Sequence, residues 1–220
     1  VFYVGVKTEG GEAVHKPPEW LADAIHLIGR GVDTAGSHYR IIEWRDKISR
    51  QTRIGTLEMG SIGTLQGWRQ LQSMGITVLA ARRKRELLAD YLQTEGSSQV
   101  WEVVNKAGWC NSNRAYILPS GEVLTAHRQS KNSARIIYNG DTSQAAAYRA
   151  SGSLDEWQQH IARHMAGNSR LCLAIGTALA APLVSLLGME AGGFHLFGDS
   201  RDGKSTAARA ALSVWGNPDA

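Results

Sequence analysis

The sequence has little cysteine and no stretch of the kind that directs a protein to secretion. Its two cysteines, Cys110 and Cys172, lie far apart among 220 residues and are not spaced like metal ligands. This argues against a disulfide framework and is typical of a protein in the reducing cytosol. The chain also lacks an initiator Met and a charged start followed by an apolar stretch. We therefore predict a cytoplasmic protein and interpret the chain as a piece of a longer one.

The composition permits many functions and demands none of them. Hydrophobic residues make up 43% and charged residues 20% of the chain, which is ordinary for a soluble globular protein. A chain of this length can bury a core without disulfides or metals. The formal net charge of +4 is mildly basic, so a nucleic acid is allowed as a partner but not required.

The first 150 residues have the pattern of short strands interrupted by two amphipathic helices. Apolar residues on one face predict helices over residues 65–74 and 82–94. A polar turn at residues 46–49 between two strand-like runs predicts a hairpin. Further apolar runs predict strands, with a short helix as the alternative for the first of them, over residues 24–32, 76–80, 100–104 and 115–118.

Beyond about residue 150 the sequence becomes helical. Ser153 followed by Glu156 has the form of a capping box, which predicts a helix that runs to about residue 165. Residues 171–189 are then nearly all apolar. A four-residue strand over residues 194–197 leads through a loop into an alanine-rich helix.

These patterns predict an α/β protein. We expect residues 1–150 to form a mixed α+β accessory domain. We expect residues 151–220 to form the start of a P-loop NTPase domain, truncated after the Walker A helix.

The loop after the predicted strand matches the phosphate-binding pattern G-x-x-x-x-G-K-[ST]. Its glycines let the backbone curl around phosphate, and a helix N-terminus adds positive potential. Lys204 is placed to reach the β and γ phosphates, and the Ser205 hydroxyl is placed to bind Mg²⁺. We predict that ATP and Mg²⁺ bind here, on Gly198, Asp199, Ser200, Arg201, Asp202, Gly203, Lys204, Ser205 and Thr206.

Two features limit the expected activity of this chain. Asp202 places a carboxylate beside the phosphate nest, where its repulsion weakens binding unless Arg201 or the ion offsets it. Hydrolysis needs an acidic residue after a neighbouring apolar strand, and no such strand follows Lys204. We therefore assign no catalytic residue and expect this chain alone not to hydrolyse ATP.

Other motifs have a structural interpretation that we favour over a functional one. The apolar segment 171–189 is long enough to span a bilayer, but we interpret it as a buried helix and expect no membrane contact. His160 and His164, with Glu156, could ligate a metal, although a solvated polar face is favoured. The basic run 82–85 could contact nucleic-acid phosphates, and the alternative is a solvated face. We expect four tryptophans, Trp20, Trp44, Trp68 and Trp101, to lie in the core, and favour the same for Trp109.

Several segments, taken in order, resemble the family known as domain of unknown function 927. The P-loop region from Gly193 to Thr206, and residues 211–218 after it, look like the corresponding part of that family. Further segments that agree in order are residues 43–46, 88–92, 108–109, 117–121, 154–157, 167–171 and 180–183. The resemblance covers nearly the whole chain. It departs at Asp202, where the family pattern has a small or hydroxyl residue.

The resemblance implies a helicase-like or primase-associated ATPase of phages, plasmids or other mobile elements that acts on DNA. It also implies a strand-rich front domain followed by the P-loop domain. Two alternatives stay open on the sequence alone, a small-molecule kinase and a non-enzymatic nucleotide-sensing or assembly module. Homo-oligomer formation by the full-length protein is also left open.

Overall fold

The computed structural model describes residues 1–9, 12–110, 114–125 and 135–219. Contacts divide the chain into two compact units. Unit 1 contains Val1–Val104 and a returning segment with Arg135–Tyr138, and unit 2 contains the rest of the described chain. We predicted a single boundary at about residue 150, whereas the described chain passes between the units near residues 104 and 139 and has no such boundary near residue 150.

The described residues form twelve strands and five α-helices. The strands are β1 (Phe2–Tyr3), β2 (Val6–Glu9), β3 (Glu12–His15), β4 (Glu19–Trp20), β5 (Ile25–Asp33), β6 (His38–Arg45), β7 (Thr52–Glu58), β8 (Val100–Val104), β9 (Gly108–Cys110), β10 (Ala115–Ile117), β11 (Val123–Thr125) and β12 (Arg135–Tyr138). The helices are α1 (Leu65–Ser73), α2 (Arg82–Thr94), α3 (Leu154–His160), α4 (Ser169–Leu186) and α5 (Lys204–Leu212), with 3₁₀ turns at Met59–Ser61 and Ala162–Met165.

Unit 1 is built on a five-stranded mixed sheet with the order β12-β8-β5-β6-β7. The β5–β6 and β6–β7 pairs are antiparallel, while β8 is parallel to both β5 and β12. The chain between the parallel strands β5 and β8 runs through β6, β7, α1 and α2. It therefore provides the long connection that a parallel pair needs. Two small hairpin-like sheets, β1–β4 and β2–β3, precede the main sheet.

The two faces of the main sheet carry separate apolar clusters. The larger cluster includes residues from the sheet and from both helices: Ile25, Leu27, Ile42, Trp44, Leu57, Trp68, Leu71, Leu88 and Leu92. The smaller cluster contains Tyr39, Ile41, Trp101 and Val103. Gly29 is required on β5, because a Cβ there would overlap the Trp101 indole.

Most predicted features of unit 1 are present, with two exceptions, one strand and one buried tryptophan. The hairpin, both helices and the strands near residues 25 and 100 form where the sequence predicted them. The predicted strand over residues 76–80 was wrong, since only an isolated bridge between Ala22 and Val78 forms there. Trp20 is 37% exposed and lies outside the two clusters, whereas Trp44, Trp68 and Trp101 are buried as expected.

Unit 2 combines a small antiparallel sheet, in the order β11-β10-β9, with α3, α4 and α5. The capping box at the start of α3 is confirmed, because the Ser153 hydroxyl accepts from the Glu156 N–H and the Glu156 carboxylate accepts from the Ser153 N–H. The helix ends at His160 and gives way to the 3₁₀ turn, earlier than the predicted end at residue 165. The predicted strand over residues 194–197 was wrong, since that segment has no regular secondary structure.

Tryptophan side chains connect the elements of unit 2. The Trp109 indole N–H donates to the Pro182 carbonyl at 2.7 Å, and its ring meets Tyr116 edge-on with centroids 5.1 Å apart. Tyr116 stacks in turn on Trp215, with centroids 6.2 Å apart. Trp215 lies just beyond α5 and donates from its indole N–H to the Ala178 carbonyl at 3.0 Å. This network packs the small sheet and the end of α5 against α4.

Candidate nucleotide-binding site

The loop before α5 has the irregular backbone that a phosphate-binding loop requires. Gly198, Arg201 and Gly203 have positive φ angles of 148°, 70° and 80°. A loop with interspersed left-handed residues can turn successive N–H groups toward one anion. Gly203 is the N-cap of α5 in the left-handed conformation, a position that glycine occupies without steric cost. The helix therefore begins at Lys204, directly after the loop.

The Lys204 side chain folds back over the loop. Its ammonium donates to the Gly198 carbonyl at 2.8 Å and also to the Asp199 carbonyl. These contacts hold a positive charge at the N-terminal end of α5, where the helix dipole is itself positive. Two charges of the same sign in one place create an attractive position for an anion.

The Asp202 carboxylate lies inside the same loop. Its Oδ2 accepts a hydrogen bond from the Asp199 N–H at 2.8 Å. A Cβ on Gly198 would lie 2.7 Å from this oxygen, so the carboxylate packs closely on the glycine. An N–H group that could meet a phosphate oxygen is thus bonded to an anion of the protein itself.

A cavity of about 520 Å³ opens beside the loop. Its walls come from three segments: the loop with the start of α5, the residues just before the loop, and the start of α4. The lining residues are Asn168, Arg170, Leu171, His195, Leu196, Phe197, Asp202, Gly203, Lys204, Thr206 and Ala207. This volume lies within the range of small-molecule pockets.

The cavity unites some of the predicted residues and adds others. Four of the nine predicted residues line it: Asp202, Gly203, Lys204 and Thr206. Ser205, the predicted magnesium ligand, is exposed on the first turn of α5. Arg170 and His195 were not predicted, because neither belongs to a phosphate-loop pattern. Asn168 is the N-cap of α4, and its Oδ1 accepts from the Leu171 N–H at 3.1 Å.

The other candidate sites do not assemble in the described structure. Among the described residues no group of three metal-ligating side chains is present. His160 ends α3 while His164 lies in the following 3₁₀ turn, so the two do not share one helical face. Instead, the Arg163 Nε contacts the His164 Nε2 at 3.4 Å.

The basic run at the start of α2 is largely bound to its own chain. Arg83 and Lys84 form ion pairs with Glu19 at 3.1 Å and 3.5 Å. Arg85 donates to the Leu79 carbonyl, and Arg82 pairs with Glu86 on the next turn of the helix. These contacts attach α2 to neighbouring segments, so the run is less available to nucleic acid than its sequence indicated.

The apolar helix α4 is mostly exposed within the described chain. It is long and apolar enough to cross a membrane, and only 6% of it is buried. Among its residues Ile175 alone is fully buried, so the expected buried helix on an ATPase sheet does not form here. Length and apolar composition of one helix are weak support for a membrane span, since core helices of soluble proteins share them. Its main contacts among the described elements are with α5, the 3₁₀ turn Ala162–Met165 and β9.

Comparisons with known proteins agree with this architecture. A solved structure described as "SCCmec type IV Cch - active helicase" superposes with a TM-score of 0.60 and 23% sequence identity. The match covers 99% of this chain and 41% of that one, so the chain spans less than half the length of its structural neighbour. No curated protein matches the sequence. The family model of the domain of unknown function DUF927 matches residues 1–220, and the chain therefore belongs to the DUF927 family.

Proposed function

We propose that this chain is the nucleotide-binding part of a helicase-like P-loop ATPase from a mobile genetic element, which acts on DNA in the cytoplasm. The observation that carries the proposal is the position of Lys204. Its ammonium lies over the loop carbonyls of Gly198 and Asp199, at the N-terminus of α5 and on the wall of the cavity. A mobile cation, a glycine-capped helix start and an adjacent pocket are the features that bind a nucleoside triphosphate.

In this proposal the phosphates of ATP replace contacts that the loop makes with itself. The Lys204 ammonium would then donate to the β and γ phosphates instead of to the two carbonyls. They also compete with the Asp202 carboxylate for the Asp199 N–H. The Ser205 hydroxyl and the phosphate oxygens would hold Mg²⁺, which supplies charge neutralisation during phosphoryl transfer.

The cavity is the place for the nucleoside. It leads from Lys204 to the residues before the loop, where the Phe197 side chain is 85% exposed. An exposed aromatic ring offers a flat apolar surface on which a base can stack. Arg170 on the first turn of α4 lines the same space and can contact the ribose or the α phosphate.

Action on DNA rests on the family and on the structural neighbour. That neighbour is described as an active helicase of SCCmec type IV, and its likeness supports the fold. Within the described residues no strand follows α5 to present the acidic residue that hydrolysis needs. We therefore assign ATP binding to this chain, and assign turnover to the longer protein.

The binding step is tested with a pair of lysine variants. Lys204→Ala removes the cation that meets the β and γ phosphates, and we expect it to abolish measurable Mg–ATP binding by titration calorimetry. Lys106→Ala makes the same charge change at an exposed site of unit 2 and should leave the affinity unchanged. Equal affinities for parent and Lys204→Ala proteins would refute the P-loop assignment.

The action on DNA is tested on a longer protein that includes this chain. A helicase-like enzyme should hydrolyse ATP faster when single-stranded DNA is added, and Lys204→Ala should remove both basal and stimulated rates. A small-molecule kinase would respond to an acceptor molecule and not to DNA. A nucleotide-sensing module would bind ATP without turnover under either condition.

A further inference from the structure

An inner strand of the unit 1 sheet contains a charged side chain with no hydrogen-bond partner. Arg40 on β6 is completely buried, and its Nε, Nη1 and Nη2 atoms all lack a hydrogen-bond partner. Buried charges in proteins are normally paired, because removing an ion from water costs several kcal/mol when no counter-charge is provided. Arg40 therefore marks a position where an anion is missing from the contacts of the chain itself.

A second arginine lies directly beside it. Arg30 on β5 faces Arg40 across the antiparallel pair, so the two side chains share one face of the sheet. Like charges in this register repel each other. Arg30 is exposed and has no ion pair or side-chain hydrogen bond among the described residues. The neighbour of Arg40 on the other side is the apolar Leu57.

The end of α2 provides part of a counter-charge. Glu95 and Tyr91 lie close enough to act electrostatically on Arg40. The Tyr91 hydroxyl donates to the Ile25 carbonyl at 2.9 Å and does not bind the guanidinium. Burial, and then the charge of Arg30, lower the pKa of Arg40 from its ordinary value, against the opposing influence of Tyr91 and Glu95. Two cations thus meet one carboxylate, and a net positive charge remains.

We propose that Arg40 and Arg30 together bind a phosphate oxyanion on this face of the unit 1 sheet. Each guanidinium presents a fork of N–H donors that fits a pair of oxygen atoms. A carboxylate has only two oxygens and is filled by one fork, whereas a phosphate group has enough oxygens for both. Arg30 is exposed, so an anion held by both arginines would meet solvent on the Arg30 side. This site lies in unit 1 and does not depend on the nucleotide proposed for unit 2.

The experiment uses the complete chain with Lys204→Ala, so that the P-loop does not contribute to phosphate binding. The melting temperature is measured in increasing inorganic phosphate at constant ionic strength, with chloride as the balancing salt. Binding to the folded state alone raises the stability with the logarithm of ligand concentration once the site fills. We expect a rise of this logarithmic form in the parent protein, beyond any general salt effect common to all variants.

Two glutamine variants isolate the site. Arg30→Gln, at an exposed position, should weaken the apparent phosphate affinity at least tenfold. Arg69→Gln makes the same charge change on the exposed surface of α1 and should leave the affinity unchanged. Arg40→Met should raise the melting temperature without phosphate and remove the further rise that phosphate causes. If Arg40→Met does not fold, the comparison of Arg30→Gln with Arg69→Gln still decides the question.

The proposal is overturned if the melting temperature of the parent does not rise with phosphate beyond the general salt effect, if Arg30→Gln responds like the parent, or if Arg69→Gln loses the response equally. Binding of thymidine oligonucleotides with and without a 5′-phosphate distinguishes the possible sources of the bound phosphate. Arg30-dependent binding of the phosphorylated strand alone identifies a strand end, and binding of both identifies the nucleic-acid backbone. A response to inorganic phosphate without either identifies a small free anion.

Discussion

The proline in α4 leads to a quantitative prediction. In an uninterrupted helix the Ala178 carbonyl would accept from the N–H of residue 182, but Pro182 has no N–H. The Trp215 indole N–H donates to that carbonyl instead, at 3.0 Å. Trp215→Phe removes the donor while keeping a ring that stacks on Tyr116. A partly buried carbonyl without its partner costs about 1 kcal/mol, so we expect a loss of that size in unfolding free energy.

A second substitution tests the cause of that loss. Pro182→Ala restores the missing N–H and should stabilise the chain by up to about 3 kcal/mol, the difference between proline and alanine inside a helix. In the Pro182→Ala background the helix itself satisfies the Ala178 carbonyl. Trp215→Phe should then cost little, which gives a coupling energy of about 1 kcal/mol between the two positions.

The four proteins are compared by urea denaturation followed by circular dichroism. Trp109→Phe provides a matched control, because the Trp109 indole binds the Pro182 carbonyl, which Pro182→Ala retains. Trp109→Phe should reduce the unfolding free energy by the same amount in the parent and in the Pro182→Ala protein. If Trp215→Phe reduces the unfolding free energy equally in the parent and in the Pro182→Ala protein, to within about 0.3 kcal/mol, the indole does not replace the helix hydrogen bond.

Three further predictions concern the P-loop and one carboxylate of unit 1. Asp202→Ser removes the anion that bonds the Asp199 N–H, so Mg–ATP affinity by calorimetry should rise about fivefold, equal to about 1 kcal/mol, and a weaker affinity would contradict this. The purified chain should release phosphate from ATP far more slowly than about 1 per second, and turnover at that rate that Lys204→Ala abolishes would reveal an overlooked catalytic carboxylate. Although burial raises the pKa of Asp23, the hydrogen bonds from Lys47 and Thr77 lower it more, to below its ordinary value. The resulting stability is present above about pH 4 and is lost as pH falls through the lower folded-state pKa, so Asp23→Asn should reduce the melting temperature at pH 7 and much less near pH 2.

The sequence was most informative where the cause of a structure is local. The bounds of α2 were predicted correctly, because an apolar face repeats through that segment up to Thr94. The capping box of α3 was also predicted, since both partners lie within one turn of helix. The apolar run at residues 194–197 resembles a strand in the same local sense. A strand also needs a neighbour to pair with, and no described strand adjoins this segment.

The features that the sequence did not reveal depend on distant residues. The replacement of a helix hydrogen bond by Trp215 joins positions 37 residues apart. The basic run of α2 looked solvated until the fold brought Glu19 beside Arg83. Nothing in the pattern of β6 marks Arg40 as buried, because its position beneath the end of α2 is decided by how the helix crosses the sheet.

The parallel pairing of β12 with β8 determines how this protein can be divided for separate study. The chain leaves unit 1 after Val104, forms β9 to β11 in unit 2, and returns to supply β12. A fragment that ends at residue 150 would keep Trp109 but lose Pro182, the acceptor of its indole hydrogen bond. A cleaner excision would replace residues 105–134 with a flexible linker of about a dozen residues, the usual minimum for a connection between parallel strands. The β8–β12 edge would then stay intact in a single continuous recombinant domain.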